Sequence, residues 1–336
     1  MCNPRGLKMD ELSSLESIRK RPAMYIGGMD IRGLHHLLDE LLDNSIDQFL
    51  ANQATSVSVN VSGSMLEFTD DGPGLPFDEP GPHSESLAEY YLTQIRLHSP
   101  TADGHAPHIH LDGSGCGLRI VTALTDTCEV SSSRNDVIWR QSFSKGLKVG
   151  PPQMIAQPGN RGTTFRLTID RDLFSDDWCQ QRVDQRLVDA AYLLPGLKVE
   201  SPSLRFCTSR GLADLAAKIA KEKRSPNAHR VWWFNESTDD IQIQAAIAGT
   251  GSDTDWRAFA NGGTSMEGGT HLAALKRVVK SCGLRPASAL IHIIMHNPRF
   301  AGPTRSKLDA PEIRTQLIDA LMPSLKAFAS SQGDTA

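Results

Sequence analysis

The chain has 336 residues, 39% hydrophobic and 22% charged, with a formal charge of −4 and a pI near 6.3. The length fits about two domains, the composition is that of an ordinary soluble globular protein, and the charge balance carries no overall polyanion-binding signature. No apolar run approaches the ~20 residues of a membrane span, MCNPRGLKMDELSS has no signal-peptide core, and Cys2, Cys116, Cys128, Cys179, Cys207 and Cys282 form no CxxC pair, so a reduced, cytoplasmic protein with no membrane association is expected.

In chain order, residues 1–13 are polar and read as a loose arm, and 15–21 as a short basic helix stopped by Pro22. Residues 33–50 carry the strongest helical pattern, with Leu34, Leu38, Leu41, Leu42 and Phe49 as its buried stripe. SVSVNVSG (56–63) alternates like a half-buried strand, and MLEFTDD follows as its hairpin partner. A loop over 72–85, a helix over 86–97, an irregular stretch over 98–117 and a helix over 118–124 come next, then strands at CEVSSS, DVIWRQSFS and GTTFRLTID. An acidic stretch over 170–177 marks a domain joint, placed at 172/173. Beyond it lie periodic segments at 185–194, 213–223, 241–248 and 272–281, the apolar strand ALIHIIMH, a last helix over about 310–329 and a tail, 330–336, expected to be disordered.

Four elements carry chemistry. At about 100° per residue, His36, Glu40, Asp43, Asn44 and Asp47 share one side of the long helix, opposite the leucines. A solvated face is the ordinary alternative, but such faces commonly hold lysine partners a turn away, and no Lys or Arg occurs from 33 to 95. An acidic patch beside an amide suits Mg²⁺, which takes few protein oxygens, and a carboxylate one turn away can take a proton from water. In TDDGPGLP, Asp70 ends a strand ahead of Gly72 and Gly74; the glycines admit a ligand close to backbone and the carboxylate can accept from an exocyclic amine, or the segment is a simple turn. In DGSGCGLRIVTAL, Gly113, Gly115 and Gly117 precede a helix, where backbone N–H groups can cradle phosphate. GTTF (162–165) opens a strand, and no P-loop pattern occurs.

That order resembles the GHKL ATPase superfamily. ESIRKRPAMYIGG, RGLHHLLDELLDNSID, TDDGPGLP, GCGLRIVTAL, WRQSF and RGTTF look like the ATPase region of the DNA gyrase B and topoisomerase IV family, and MEGGTHL with NPRFAGPTRSKLDAPEIR look like its transducer. The resemblance implies an α+β chain: a GHKL (Bergerat) ATP-binding α/β sandwich over 14–172, then a smaller α/β transducer domain over 173–329. It implies an ATPase using ATP and Mg²⁺, with Glu40 as general base, His36 orienting it, Asn44 as the Mg²⁺ ligand, and Arg305 and Lys307 of the TRSKL loop at the γ-phosphate. Asp70 with Thr163 would hold adenine. Asp47, Gly72, Gly74, Leu75, Pro76, Gly113, Gly115, Cys116, Gly117 and Leu118 would shape the nucleotide site, and Arg140 would stand at its mouth. The 1–13 arm would wrap a second copy in a nucleotide-bound homodimer acting as a gate or clamp on DNA.

Departures temper this. The family's edge Glu–Arg pair is Gln48 and Pro73 here, LHSPTADGHAPHIH holds no lid lysine, Pro303 replaces a glutamine, and Arg305 replaces the phosphate-sensing lysine. No TOPRIM-like acidic motif follows, so DNA cleavage by the chain itself is not expected. The rival reading is a nucleotide-dependent regulatory or interaction subunit with little ATPase activity, acting on a separate TOPRIM or gyrase-type protein; a sensor kinase is weaker, for want of a phospho-acceptor helix. His98, His105, His108 and His110 have tolerable spacing for zinc, but structural zinc sites usually include cysteine.

Overall fold

The computed structural model describes residues 9–95, 117–238, 241–295, 298–301 and 306–333. By contacts the chain falls into two compact units, Met1–Val188 with Leu197–Phe206, and Asp189–Gly196 with Cys207–Ala336.

The first unit opens with α1 (Met9–Lys20), α2 (Ala23–Ile26) and α3 (Ile31–Leu50), followed by β1 (Ser56–Ser62), β2 (Met65–Asp70), α4 (Leu87–Thr93) and α5 (Leu118–Ala123). It continues through β3 (Thr125–Arg134), β4 (Val137–Ser144), β5 (Leu147–Lys148), β6 (Gln153–Ala156), β7 (Gly162–Ile169), α6 (Gln180–Leu193), β8 (Lys198–Ser201) and β9 (Leu204–Phe206). Among the described residues the sheet order is β5-β4-β3-β7-β2-β1-β8-β9, with β6 also on β4. Every pairing is antiparallel except β1 with β8.

Period-2 alternation decides the faces. Val57, Val59, Leu66, Phe68, Cys128, Val130, Phe165 and Leu167 are buried, while the opposite face carries the cross-strand row Glu67–Arg166–Glu129, at 2.6 and 3.2 Å. Helices cover the apolar face, α5 packing against α1, α3 and α4. Polar-out, apolar-in strands under amphipathic helices give a two-layer sandwich.

The second unit holds α7 (Leu212–Glu222), β10 (Val231–Ser237), β11 (Ile241–Ala248), β12 (Asp255–Ala260), β13 (Gly263–Thr264), β14 (Gly268–Gly269), α8 (Thr270–Ser281), β15 (Ser288–Met295), β16 (Lys307–Leu308) and α9 (Arg314–Gly333). The sheet runs β10-β11-β15-β12-β13, and β14 pairs with β16. β15, expected from ALIHIIMH, is central, and residues 288–293, apolar except for Ser288 and His292, are buried on both faces. Leu275, Leu317, Leu321 and Leu325 join Trp232, Phe234, Ile243 and Ile291 in one core.

α1 begins at Met9, inside the expected loose arm, and α9 continues to Gly333, into the expected tail; helix propagation needs no apolar stripe at its last turns, so polar composition conceals it. The two-residue strands and β6, exposed along its length, carry too little pattern to be read from sequence.

His271 and His292 are wholly buried in the second unit. Among the described residues neither nitrogen of His271 has a hydrogen-bond partner, while His292 Nε2 accepts from Gly262 N–H at 3.1 Å and the Leu193 backbone favours the charged form of the same ring. Burial lowers the His271 pKa from 6.5 to about 4 and that of His292 from 6.5 to about 3. An unfolded chain therefore binds protons below pH 6.5 that the folded chain refuses, and stability is whole above that pH and falls as pH drops toward 3. His292→Gln, which keeps an acceptor for Gly262, is expected to flatten the loss of stability on acidification. Urea unfolding at neutral and mildly acidic pH reads this; an unchanged slope contradicts the assignment.

Candidate active site

α3 starts where Asp30 caps it, its side chain accepting from the N–H groups of Arg32 and Gly33. Gly33 is required there, because a Cβ would run into the Gly28 carbonyl. The leucine stripe is buried as expected, though Phe49 only partly, and Leu37 and Ile46 join it. The opposite side presents His36, Glu40 and Asn44 at successive turns.

Asp70 ends β2 and is the polar focus of the site. Its Oδ1 accepts from Gly72 N–H at 2.9 Å and its Oδ2 from Ser45 Oγ–H at 2.9 Å. Burial pushes its pKa above the usual aspartate value, against the opposing pull of the Gly72, Ser45 and Thr163 hydrogen bonds. Thr163 lies opposite it across the β2–β7 ladder. Gly162 has φ +119° and no room for a Cβ, which would strike the Asp70 carbonyl. Gly74, at φ +81°, lets the chain pass close to Ser133, and Leu75 N–H donates to Ser132 Oγ at 2.6 Å.

These elements enclose a cavity of about 360 Å³. Leu41, Leu75, Pro76, Leu118 and Phe165 make its apolar walls, Asp70 and Thr163 its polar end, and Asn44 its edge on α3. An apolar slot ending in an acceptor suits a flat heteroaromatic ring bearing an amine. Gln48 and Pro73 also line it.

Along α3 from Asn44, Glu40 lies one turn away and His36 two. His36 Nε2 is 3.4 Å from Glu40 Oε1 and its Nδ1 3.9 Å from Asp39 Oδ2. Burial opposes a charge on His36, but Glu40, Asp39 and Asp43 outweigh it and hold its pKa above the ordinary value. Asn44 Nδ2 donates to the Glu40 carbonyl at 2.6 Å, which leaves the amide oxygen as a hard donor. That donor fits Mg²⁺, whose remaining ligands come from water and phosphate, although no group of three or more His, Cys, Asp or Glu suited to a metal occurs among the described residues.

Not every expected site residue meets there. Asp47 is 3% exposed and is not part of the cavity lining, because the last turns of α3 are enclosed on the side where the earlier turns are open. Arg140 is also absent from the lining. It pairs with Ser131, one residue out of phase with Ser132, so strand parity turns it to the other face of the sheet. The arginine at the cavity is Arg134, which shares parity with Ser132 and pairs with Asp78 at 3.0 Å and Glu79 at 2.6 Å. Gly72 and Gly117 shape the backbone without lining the cavity; Gly117, at φ +58°, stands at the N-terminus of α5. Lys307 is exposed on β16 in the second unit. Gly113, Gly115, Cys116 and Arg305 lie outside the described residues, as do Pro303 and the histidines of 98–110. Sequence reasoning missed Ser45, whose only signal was a hydroxyl on the sheet side of α3, and Arg134, which strand parity with a buried serine would have picked out.

Residues 29–173 match the family described as histidine kinase-, DNA gyrase B-, and HSP90-like ATPase, and the chain carries a domain of that family in a gyrase B-like module. Among curated relatives, the DNA gyrase B protein of Staphylococcus aureus is 30% identical over 92% of this chain and 53% of its own length. That of Archaeoglobus fulgidus is 28% identical over 93% and 54%. The chain thus spans about half the length of the relatives it matches. The 43K ATPase domain of Thermus thermophilus gyrase B, solved with an aminocoumarin, superposes with a TM-score of 0.79 at 25% identity, covering 96% of this chain and 92% of that one. The gyrase B structure from Myxococcus xanthus shares the fold at a TM-score of 0.74 and 21% identity over 94% of this chain and 99% of its own. The fold is accordingly the GHKL fold. No helix among the described residues is long and apolar enough to cross a membrane.

Proposed function

We propose that the chain binds ATP with Mg²⁺ and hydrolyses it. The observation that carries this is the Asp70 carboxylate, held by Ser45 and Gly72 at the end of an apolar slot whose edge is Asn44, with Glu40 one turn further along the same helix, outside the lining. Asp70 accepts from the adenine amine, and the apolar walls hold the ring. Mg²⁺, when bound through Asn44, offsets the charge of the triphosphate. Glu40 takes a proton from water as its oxygen attacks the γ-phosphorus; the bond to the β–γ bridging oxygen breaks, and ADP leaves with the electron pair. His36 orients Glu40. Nucleotide binding closes a homodimer that serves as a gate or clamp for DNA and a separate gyrase-type partner.

Calorimetry with ATP and Mg²⁺, steady-state turnover and size analysis with a non-hydrolysable analogue, all on one preparation, test the reading. Binding heat, turnover and analogue-dependent dimerisation are expected. Absence of binding heat from folded protein overturns all of it. Binding and dimerisation without turnover favour the interaction subunit, a reading supported by the replacement of the sensing lysine by Arg305 and the neighbouring glutamine by Pro303.

A further inference from the structure

Asp39, Glu40 and Asp43 crowd two turns of α3, and the sequence offers no lysine or arginine between 33 and 95 to offset them. The fold brings the cation from α6. Arg186 Nε donates to Asp39 Oδ1 at 2.6 Å, and its Nη2 stands 3.7 Å from Asp43 Oδ1. The contact is sheltered, the Arg186 side chain being 21% exposed and that of Asp43 14%. Val183, Leu187 and Ala190 seat the buried side of α6, which sets residue 186 at the margin of that side, facing α3.

The arrangement bears on His36. Its imidazole lies between two carboxylates, Glu40 at 3.4 Å and Asp39 at 3.9 Å, and the guanidinium ties down the second of them. We propose that Arg186 is a positioning residue for ATP hydrolysis: by holding Asp39 it leaves His36 to Glu40, the group that receives the proton from water. The assignment rests on the ATPase reading above. A carboxylate stripped of its guanidinium is a strong acceptor one helical turn from the imidazole and competes for it. The charged and titratable groups facing this cluster among the described residues are His35, Asp39 and Asp43 on α3 and Arg182 and Arg186 on α6. Lysine at 186 keeps the charge but loses the planar fork that spans both aspartates.

The test compares kcat and KM for ATP with Mg²⁺ in the full chain and in Arg186→Gln, Arg186→Lys, Asp39→Asn and the double variant Arg186→Gln/Asp39→Asn, each checked for folding by thermal unfolding. Arg186→Gln is expected to lower kcat about tenfold with KM little changed, and Arg186→Lys to fall between it and wild type. Asp39→Asn alone stays close to wild type, and adding it to Arg186→Gln restores most of kcat, because the competing carboxylate has gone. A wild-type kcat in Arg186→Gln, or a double variant no faster than Arg186→Gln, overturns the assignment. Should Arg186→Gln fail to fold, the double variant decides: kcat equal to that of Asp39→Asn supports the role, and kcat far below it overturns the role. A wild-type chain that turns over no ATP sinks the underlying reading, and the assignment with it; wild-type turnover that ignores Arg186 sinks the assignment alone.

Discussion

Replacing Glu40 by glutamine is expected to lower ATP turnover by about 10²- to 10⁴-fold, the range a positioned general base contributes, while calorimetric affinity for a non-hydrolysable analogue stays near wild type. Glutamine keeps the length and polarity of the side chain beside His36 but has no basic oxygen pair to take a proton. Asn44 bonds to the backbone carbonyl of residue 40 and not to its side chain, so the proposed Mg²⁺ donor keeps its orientation in the variant. Loss of kcat with retained binding is the outcome that fits; equal loss of both would mean that the substitution also disturbs Asn44, one turn away at the cavity edge. Unchanged kcat would remove Glu40 from the mechanism.

Asp70→Asn should produce the opposite division. The Gly72 N–H and the Ser45 hydroxyl converge on the two carboxylate oxygens. An amide has one acceptor oxygen in place of two: with its NH₂ toward Gly72 it opposes an N–H donor, and with its NH₂ toward the Ser45 hydroxyl, which can turn to accept, its single oxygen is shared with Gly72, so the acceptor for the adenine amine is compromised. Affinity for ATP is expected to fall by about 10- to 100-fold, the worth of a hydrogen bond to a charged group, with kcat at saturation much less affected. Calorimetry and the KM–kcat split read this together, and an affinity equal to wild type would remove Asp70 from base recognition. Because burial raises the Asp70 pKa above 3.8, wild-type affinity should also begin to fall on acidification before an exposed aspartate would protonate.

The two residues behind these predictions were legible because their signals are local. A helical repeat placed Glu40 and Asn44 a turn apart, and the D-x-G-x-G pattern marked Asp70 as a strand end in a tight turn. Arg186 had no such signal, since it stands 147 residues from Asp39 and only the packing of α6 brings the two together. Arg140 shows another limit. A motif position tells which strand a residue occupies, but a one-residue difference in phase decides which face it serves, and Arg134, not Arg140, lines the cavity. Asp47 shows a third. Helical periodicity predicts a side of α3 but not where along its length that side becomes enclosed.

The parallel pairing of β8 on β1 bears on how the nucleotide-binding part could be isolated as a fragment. A polypeptide cut at residue 172, inside the first compact unit, would leave the backbone groups of β1 that face β8 without a neighbour, beside buried Val57 and Val59. A bare apolar margin of that kind invites strands from other molecules. Such a fragment would be prone to clump in solution for reasons unrelated to its chemistry, and it would also have shed Arg186.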